Sequence, residues 1–459
     1  MSAKHRALNR WVIVVGAVMI QLALGAIYAW SVFTKLLTEP GGDYRFTASQ
    51  AAWVFSASLA VFAVVMVFAG RWQARLGPRP VSLLGGIILG LGYVLGGLFG
   101  SAFWAQLLFV GVMGGAGIGL AYVVPIAVGV KWFPDKKGLI TGLAVAGFGF
   151  GATIWVKLAG SWFGGLLNTT HVLGLPGVQS VFVIYGVAFL GLVVLGSLVM
   201  VNPPDGYVPT GWTPPPAMKG NATGSIEYSH GEMLRRPQFY ALWGVFMFSA
   251  LSGLMVIYSI KLFGIDALTH NGVAEAGAIT GTAMAWYAIF NGLGRIAWGS
   301  VSDRIGRRRA IVLMTASQGM VMLLLYHGFT VFGHSLGFIV AAVLIGFNFG
   351  GNFALFPTAT ADFFGNKNVG SNYGWVFTAY GVAGIAGPQL AGLFKDMAHG
   401  AAEPIYWMAP FLIAGVACFA GALIMALTEA PDRAPAMVQG GHRIGSGAAT
   451  QTVGLASSP

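Results

Sequence analysis

Gly299-Ser-Val-Ser-Asp303-Arg304-Ile-Gly306-Arg307-Arg308 follows a long apolar run, and so does Arg71-Trp-Gln-Ala-Arg75-Leu-Gly77-Pro-Arg79, which aligns with it at an offset of 229. Both stretches are short and basic, and each carries a glycine at the same place, Gly77 and Gly306. A second pair, Pro125 and Gly138 against Pro357 and Gly370, recurs at an offset of 232. Self-similarity over half a chain means that one structural unit is present twice. The apolar runs around these loops say what that unit is.

Of 459 residues, 56% are hydrophobic and 8% charged, against about 25% charged in a soluble domain. Such a chain cannot cover a globular surface with polar groups, so its solvent is lipid. Apolar cores fall near 11–34, 50–70, 80–100, 104–130, 138–165, 178–201, 238–262, 276–299, 309–328, 336–360, 370–393 and 404–428. At about 1.5 Å per residue each is long enough to cross a hydrocarbon core of about 30 Å. The pattern predicts an all-α polytopic membrane protein, with twelve transmembrane helices in two pseudo-symmetric six-helix bundles, 1–202 and 238–430. A proline-rich cytoplasmic linker over 203–237 joins them, and a Gly/Ser/Ala/Thr-rich tail over 431–459 is expected to be disordered. Duplicated halves with a site at the midplane between them are the plan of an alternating-access carrier.

The net charge of +11 is no sign of nucleic acid, because the cations lie in short loops between apolar spans. With the N-terminus inside, inner segments hold 19 of the 25 Lys and Arg residues and outer loops hold four, which predicts both termini in the cytoplasm. Lys4, Arg6 and Arg10 precede a stretch too long for a signal peptide, read as a retained first helix. The single cysteine, Cys418, offers neither an intramolecular disulfide nor a cysteine metal site. No cofactor or metal is expected, and the chain is expected to act as a monomer in the bilayer. Glycine repeats such as Gly111-Val-Met-Gly114-Gly115-Ala-Gly117-Ile-Gly119 and Gly381-Val-Ala-Gly384-Ile-Ala-Gly387-Pro388 predict that helices 4, 5 and 11 line the central seam.

On these boundaries every acid lies in a loop, terminus or interface, and two cations remain inside: Arg295 and Lys157. A charge within a membrane helix costs at least ~2.5–3.5 kcal/mol and marks a substrate or ion pathway. With no acid beside them, the missing counter-charge is assigned to a small organic anion. Asn291 lies one turn before Arg295 on the same face, and the pair can converge on one carboxylate through the guanidinium fork. The first-half equivalent of Arg295 is Met66, so the scaffold does not demand a cation there; snorkelling to the cytoplasmic loop is the competing reading. Lys157, about 28 Å along its helix from Gly138, reads as a snorkelling residue able to attract anions at the outer mouth. His327 sits at an outer helix end, so no side-chain proton relay is expected. A channel would need coordinating rings, and a membrane enzyme an acid, histidine or metal cluster; neither pattern is present.

The stretch Gly299–Arg308 resembles the loop signature of the major facilitator superfamily, with Asp303, Arg304, Arg307 and Arg308 as gating residues and Asp303 expected near the start of helix 9. The first-half copy departs from it, with Ala74 where the acid stands, which predicts a gate that is weaker there or latched differently. Gly25-Ala-Ile-Tyr28-Ala-Trp30-Ser31, Tyr122-Val-Val-Pro125, Lys131-Trp132-Phe133-Pro134, Asn291-Gly-Leu-Gly-Arg295 and Phe353-Ala-Leu-Phe356-Pro357 are together similar to the oxalate:formate antiporter family and its monocarboxylate-carrying relatives. That resemblance implies a bacterial inner-membrane anion exchanger, with Arg295 as substrate arginine and Tyr28, Tyr122, Phe349 and Phe353 as an aromatic cage; Trp30 lies in the same stretch as Tyr28. In helix 11 this chain has Tyr380 where the oxalate antiporter has lysine. A dianion loses its second cation there, which favours a formate-, pyruvate- or lactate-like monoanion over oxalate. Proton symport of the acid and a neutral-solute or drug carrier are the rivals.

Overall fold

The repeat read from the sequence has a backbone counterpart. The computed structural model describes residues 9–37, 43–44, 46, 48–160, 162–213, 227–332, 335–397 and 408–431; the tail expected to be disordered lies, from 432 onward, outside them. In the first half α1 runs Arg10–Leu24, tightens into a 3-10 turn at Gly25–Ala29 and resumes over Trp30–Leu37. It is followed by α2 (Ala48–Leu76), α3 (Pro78–Phe99), α4 (Phe103–Trp132), α5 (Lys137–Gly160) and α6 (Gly177–Leu198). The second half comprises α7 (Pro237–His270), α8 (Ala276–Ile305), α9 (Arg307–Phe332), α10 (Ser335–Phe364), α11 (Val369–Met397) and α12 (Met408–Leu427). One glycine alone separates α2 from α3 and α8 from α9. Gly77 has φ 86° and Gly306 φ 87°, left-handed values that a Cβ would oppose, so the matching loops are one turn used twice.

Pairings repeat as well: α3 packs on α6 and α9 on α12 at the outside, while α2 packs on α11 and α5 on α8 across the halves. Nine helices among the described residues are long and apolar enough to cross a membrane. Those outside that set are α8, α9 and α11. Of these, α8 buries Tyr287, Asn291 and Arg295 on one face and exposes Trp286 and Leu293 on the other. Leu91, Val187, Leu324 and Leu423 lie exposed on the outer helices, a surface suited to lipid.

Three readings need correction. The glycine repeat of α4 does not line the seam: Gly115 and Gly119 abut α2 and Gly117 abuts α3, all within one half. The seam uses α5 and α11 instead, against α8 and α2. A Cβ on Gly138 would lie 2.2 Å from the Gly299 carbonyl oxygen, one on Gly142 2.2 Å from that of Arg295, and one on Gly374 2.8 Å from that of Met66. Finally, α7 continues past residue 262 to His270, because Ala267 and Leu268 are buried, and it carries the buried Asp266 within it rather than in a loop.

The described parts of the 203–237 connection are docked. Trp132 donates its indole N–H to the Val201 carbonyl and packs on Tyr207, which explains the Lys131-Trp132-Phe133-Pro134 stretch. Ser229 and Glu232 form a reciprocal capping box on the short helix His230–Met233. The Ser229 N–H and O–H bonds hold the Glu232 carboxyl below its usual range.

Candidate functional site

Side chains on a helix lean toward its N-terminus. In α8 that direction points away from the basic end, where Arg79, Lys136, Arg307 and Lys367 lie. Arg295 therefore folds back into the bundle. Its Nε and Nη2 donate to Asn291 Oδ1 at 3.1 and 3.0 Å, and its Nη1 donates across the seam to the Val145 carbonyl of α5 at 2.8 Å. The guanidinium carbon lies 4.2 Å from the Phe353 ring centroid and 5.3 Å from that of Phe148. The residue is 0% exposed, so it does not snorkel in this conformation. Two cation–π contacts and three hydrogen bonds to neutral oxygens hold the guanidinium without supplying a counter-charge. Among the described residues no carboxylate pairs with it.

Gly25 in the α1 turn is pressed against the Phe148 carbonyl, 2.0 Å from where a Cβ would stand, and this close approach sets Tyr28 edge-on to the Phe148 ring at 5.1 Å. The Tyr28 and Tyr380 hydroxyls meet at 2.5 Å, joining α1 to α11 across the halves. Tyr122 packs edge-on to Phe148 at 5.6 Å, and the arginine charge acts on its hydroxyl. The Asn291 Nδ2 is buried without a hydrogen-bond partner. Phe353 stands between Tyr380, at 5.4 Å, and Phe349, also at 5.4 Å. Phe349 touches Tyr287 rather than the guanidinium.

Above this group opens a cavity of about 420 Å³ between α1, α5, α7 and α8. Tyr28, Gly149, Tyr287 and Asn291 line its floor, and Thr153 and Lys157 its wall toward the end opposite the basic one. Lys157 is half-buried and lies about 18 Å along α5 from Val145 at 1.5 Å per residue. Trp30 is not in this group. Its indole N–H donates to the Ala51 carbonyl at 2.9 Å and its ring stacks on Phe182.

Toward the basic end the halves are shut. Asp303 stands in the last turn of α8, not at the start of helix 9 as expected from sequence. Its Oδ1 accepts from the Gly138 N–H at 2.9 Å and its Oδ2 from the Leu139 N–H at 2.8 Å. A carboxylate thus caps the N-terminus of α5, where free amides and the helix dipole favour negative charge. Arg307 pairs with Asp303 at 2.7 Å and with Asp362 at 2.9 Å, and Lys137 pairs with Asp362 at 2.9 Å. Arg304 is exposed, and Arg308 donates to the Ala426 carbonyl of its own half, so neither joins this cluster. On the pseudo-symmetric side the latch differs as the sequence predicts: Arg71 lies over the Trp375 ring at 5.6 Å, with no acid equivalent to Asp303.

Sequence reasoning passed over Phe148, Tyr287, Lys137 and Asp362. Tyr287 was within reach, since 287, 291 and 295 form one stripe at i, i+4 and i+8. The pairing of Lys137 with Asp362 joins residues 225 positions apart and left no local signal.

A family model described as Major Facilitator Superfamily matches residues 7–281 and 272–450. The chain is 30% identical over 391 residues to an uncharacterized MFS-type transporter of Escherichia coli (strain K12), YhjX, covering 84% of this chain and 88% of that one. It is 28% identical over 412 residues to the oxalate:formate antiporter of Oxalobacter formigenes, covering 90% and 89%. Among solved structures, the proton:xylose symporter XylE superposes with a TM-score of 0.64 at 12% identity, over 92% of this chain and 96% of that one.

Proposed function

Because the chain belongs to the major facilitator superfamily, we propose that this multi-pass membrane transporter exchanges small carboxylate anions by alternating access, with a formate-, pyruvate- or lactate-like monoanion as its cargo. The observation that carries this reading is Arg295: a fully buried guanidinium behind the Asn291 side of a cavity floor, bonded to neutral oxygens only, with no described carboxylate to neutralise it. The cargo supplies the counter-charge. Asn291, Tyr28 and Tyr122 offer uncharged donors around it, and Phe349 and Phe353 complete an apolar cage. Tyr380 in place of a second cation favours one carboxylate over two. None of the described cavity-lining residues is Asp, Glu or His, which supports exchange over proton relay.

In this reading 1–202 and 238–430 are the moving halves, joined by the 203–237 linker, with the basic end and both termini in the cytoplasm of a bacterial inner membrane. A monomer suffices, since the cavity lies within one chain. Asp303, Arg307, Asp362 and Lys137 hold the inner gate shut while Lys157 draws anions into the outer mouth.

Counterflow in proteoliposomes with formate, oxalate, pyruvate, lactate and a neutral sugar tests the reading. Saturable monocarboxylate exchange is expected, and Arg295→Ala should abolish it. Uptake of the sugar alone would sink the anion reading in favour of a neutral-solute carrier. Uptake that needs an imposed proton gradient would replace exchange by symport.

A further inference from the structure

Beyond the cavity, toward the basic end, lie buried polar groups that the Arg295 site does not use. Tyr373 stands on α11 seven residues before Tyr380, about 10 Å nearer the basic end. Its ring meets Phe377 at 5.7 Å, and Phe377 meets Tyr122 at 5.4 Å. The charge of Arg295 acts on both hydroxyls. Gln21 of α1 donates to the Tyr122 carbonyl at 3.3 Å. All three residues are at most 1% exposed, and the Tyr373 hydroxyl and the Gln21 Oε1 have no hydrogen-bond partner.

An unpartnered buried hydroxyl costs about 1–3 kcal/mol, and phenylalanine would fill the same space without that cost. Packing therefore does not account for Tyr373. Its position does: it lies on α11 between Tyr380 and the closed basic end, in the part of the bundle that must open when the cavity reverses.

Resting on the carboxylate reading of the Arg295 site, we propose that Tyr373 forms a second carboxylate station, engaged when the carrier opens at the basic end, to which Tyr122 of the Arg295 site hands the anion on. A carboxylate moving off the guanidinium toward that end meets the phenolic O–H of Tyr122 and then that of Tyr373. The station carries no charge, so it passes the anion on rather than trapping it.

Right-side-out and inverted membrane vesicles separate the two faces. The probe is radiolabelled formate or pyruvate, whichever the wild type exchanges faster, against the same unlabelled anion at saturation on the other side. Tyr373→Phe is expected to raise KM about tenfold at the basic face, the loss of one hydrogen bond to a charged group, and to leave KM at the opposite face within twofold. An equal change at both faces, or no change at either, overturns the station.

A second measurement stands apart from the folding of that variant: Tyr373→Cys in a Cys418→Ala background, labelled with a membrane-impermeant maleimide. Labelling from the basic face that the anion suppresses supports the station. Labelling from the opposite face only, or none during exchange, overturns it. Wild-type vesicles that exchange no carboxylate remove both this proposal and the reading it rests on. Wild-type exchange matched at both faces by Tyr373→Phe removes the station alone.

Discussion

Asp303→Asn tests whether the ion cluster at the basic end sets the resting conformation. The carboxylate takes two backbone N–H groups at the head of α5, at 2.9 and 2.8 Å. Hydrogen bonds to a charged acceptor contribute about 1.5–3 kcal/mol each and neutral ones about 0.5–1.5, so removing the charge costs about 1 kcal/mol per bond. An asparagine has one acceptor oxygen, so one of the two bonds is lost outright, about 1 kcal/mol more. The pair with Arg307 adds little, because the Asp303 side chain is 21% exposed and Arg307 keeps Asp362. The closed state then loses about 3 kcal/mol, roughly a hundredfold in its population ratio. Spin labels at Arg75→Cys and Arg304→Cys, exposed on opposite halves at this end, would report it as a longer-distance population in a Cys418→Ala background. A distance distribution unchanged by Asp303→Asn would refute the assignment of these bonds as the latch.

Four further outcomes follow from the same geometry. Tyr380→Lys should raise affinity for oxalate over formate by roughly tenfold, the scale of one charge-assisted hydrogen bond, in competition counterflow; an unchanged ratio would count against the account of cargo charge. Lys157→Ala should lower kcat/KM about threefold at low ionic strength and have no effect at high salt, since attraction at a mouth is screened within about 10 Å at 0.1 M. Gly142→Leu places carbon where the Arg295 carbonyl stands, so it should keep the α5–α8 seam from closing and show as a loss of exchange in well-expressed protein. Trp30→Phe should leave KM unchanged and lower stability by about 1 kcal/mol, seen as a lower Tm in detergent, because its indole bond to Ala51 is structural.

Most membrane spans were legible because lipid imposes them: every backbone polar group must be satisfied within a helix, so apolar length marks nine of them among the described residues. The repeat was legible for a separate reason, since Gly77 and Gly306 each serve as a one-residue turn at positive φ that tolerates little else. Helix ends were harder. The last turns of α7 stay helical because they pack Ala267 and Leu268 inside, and no hydropathy window sees that packing. The glycines of α4 misled because close approach has no direction in sequence, and here the approach is to neighbours in the same half.

Arg295 was legible because a cation inside a membrane helix stands out against everything around it, and Asn291 because helical spacing fixes its side. What holds them was not. The Val145 carbonyl is backbone, and any residue there would offer it; the Phe148 ring lies in a Gly-Phe-Gly-Phe-Gly run that reads as packing. These two belong to the other half of the molecule, so the environment of Arg295 in this conformation is defined by how the halves meet. That has a consequence for the carboxylate exchange proposed above. In that cycle, reversing the cavity parts α5 from α8, and the Nη1 bond to Val145 must then break. A bound carboxylate can take up that donor as the seam opens; in the empty carrier a buried cation would lose a partner at a cost of about 1.5–3 kcal/mol. Reorientation of the loaded carrier is thus favoured over that of the empty one by roughly ten- to a hundredfold, which is the physical content of exchange. Net efflux into anion-free buffer should therefore run slower than exchange by that factor, and equal rates would show that Arg295 finds another partner when the seam parts.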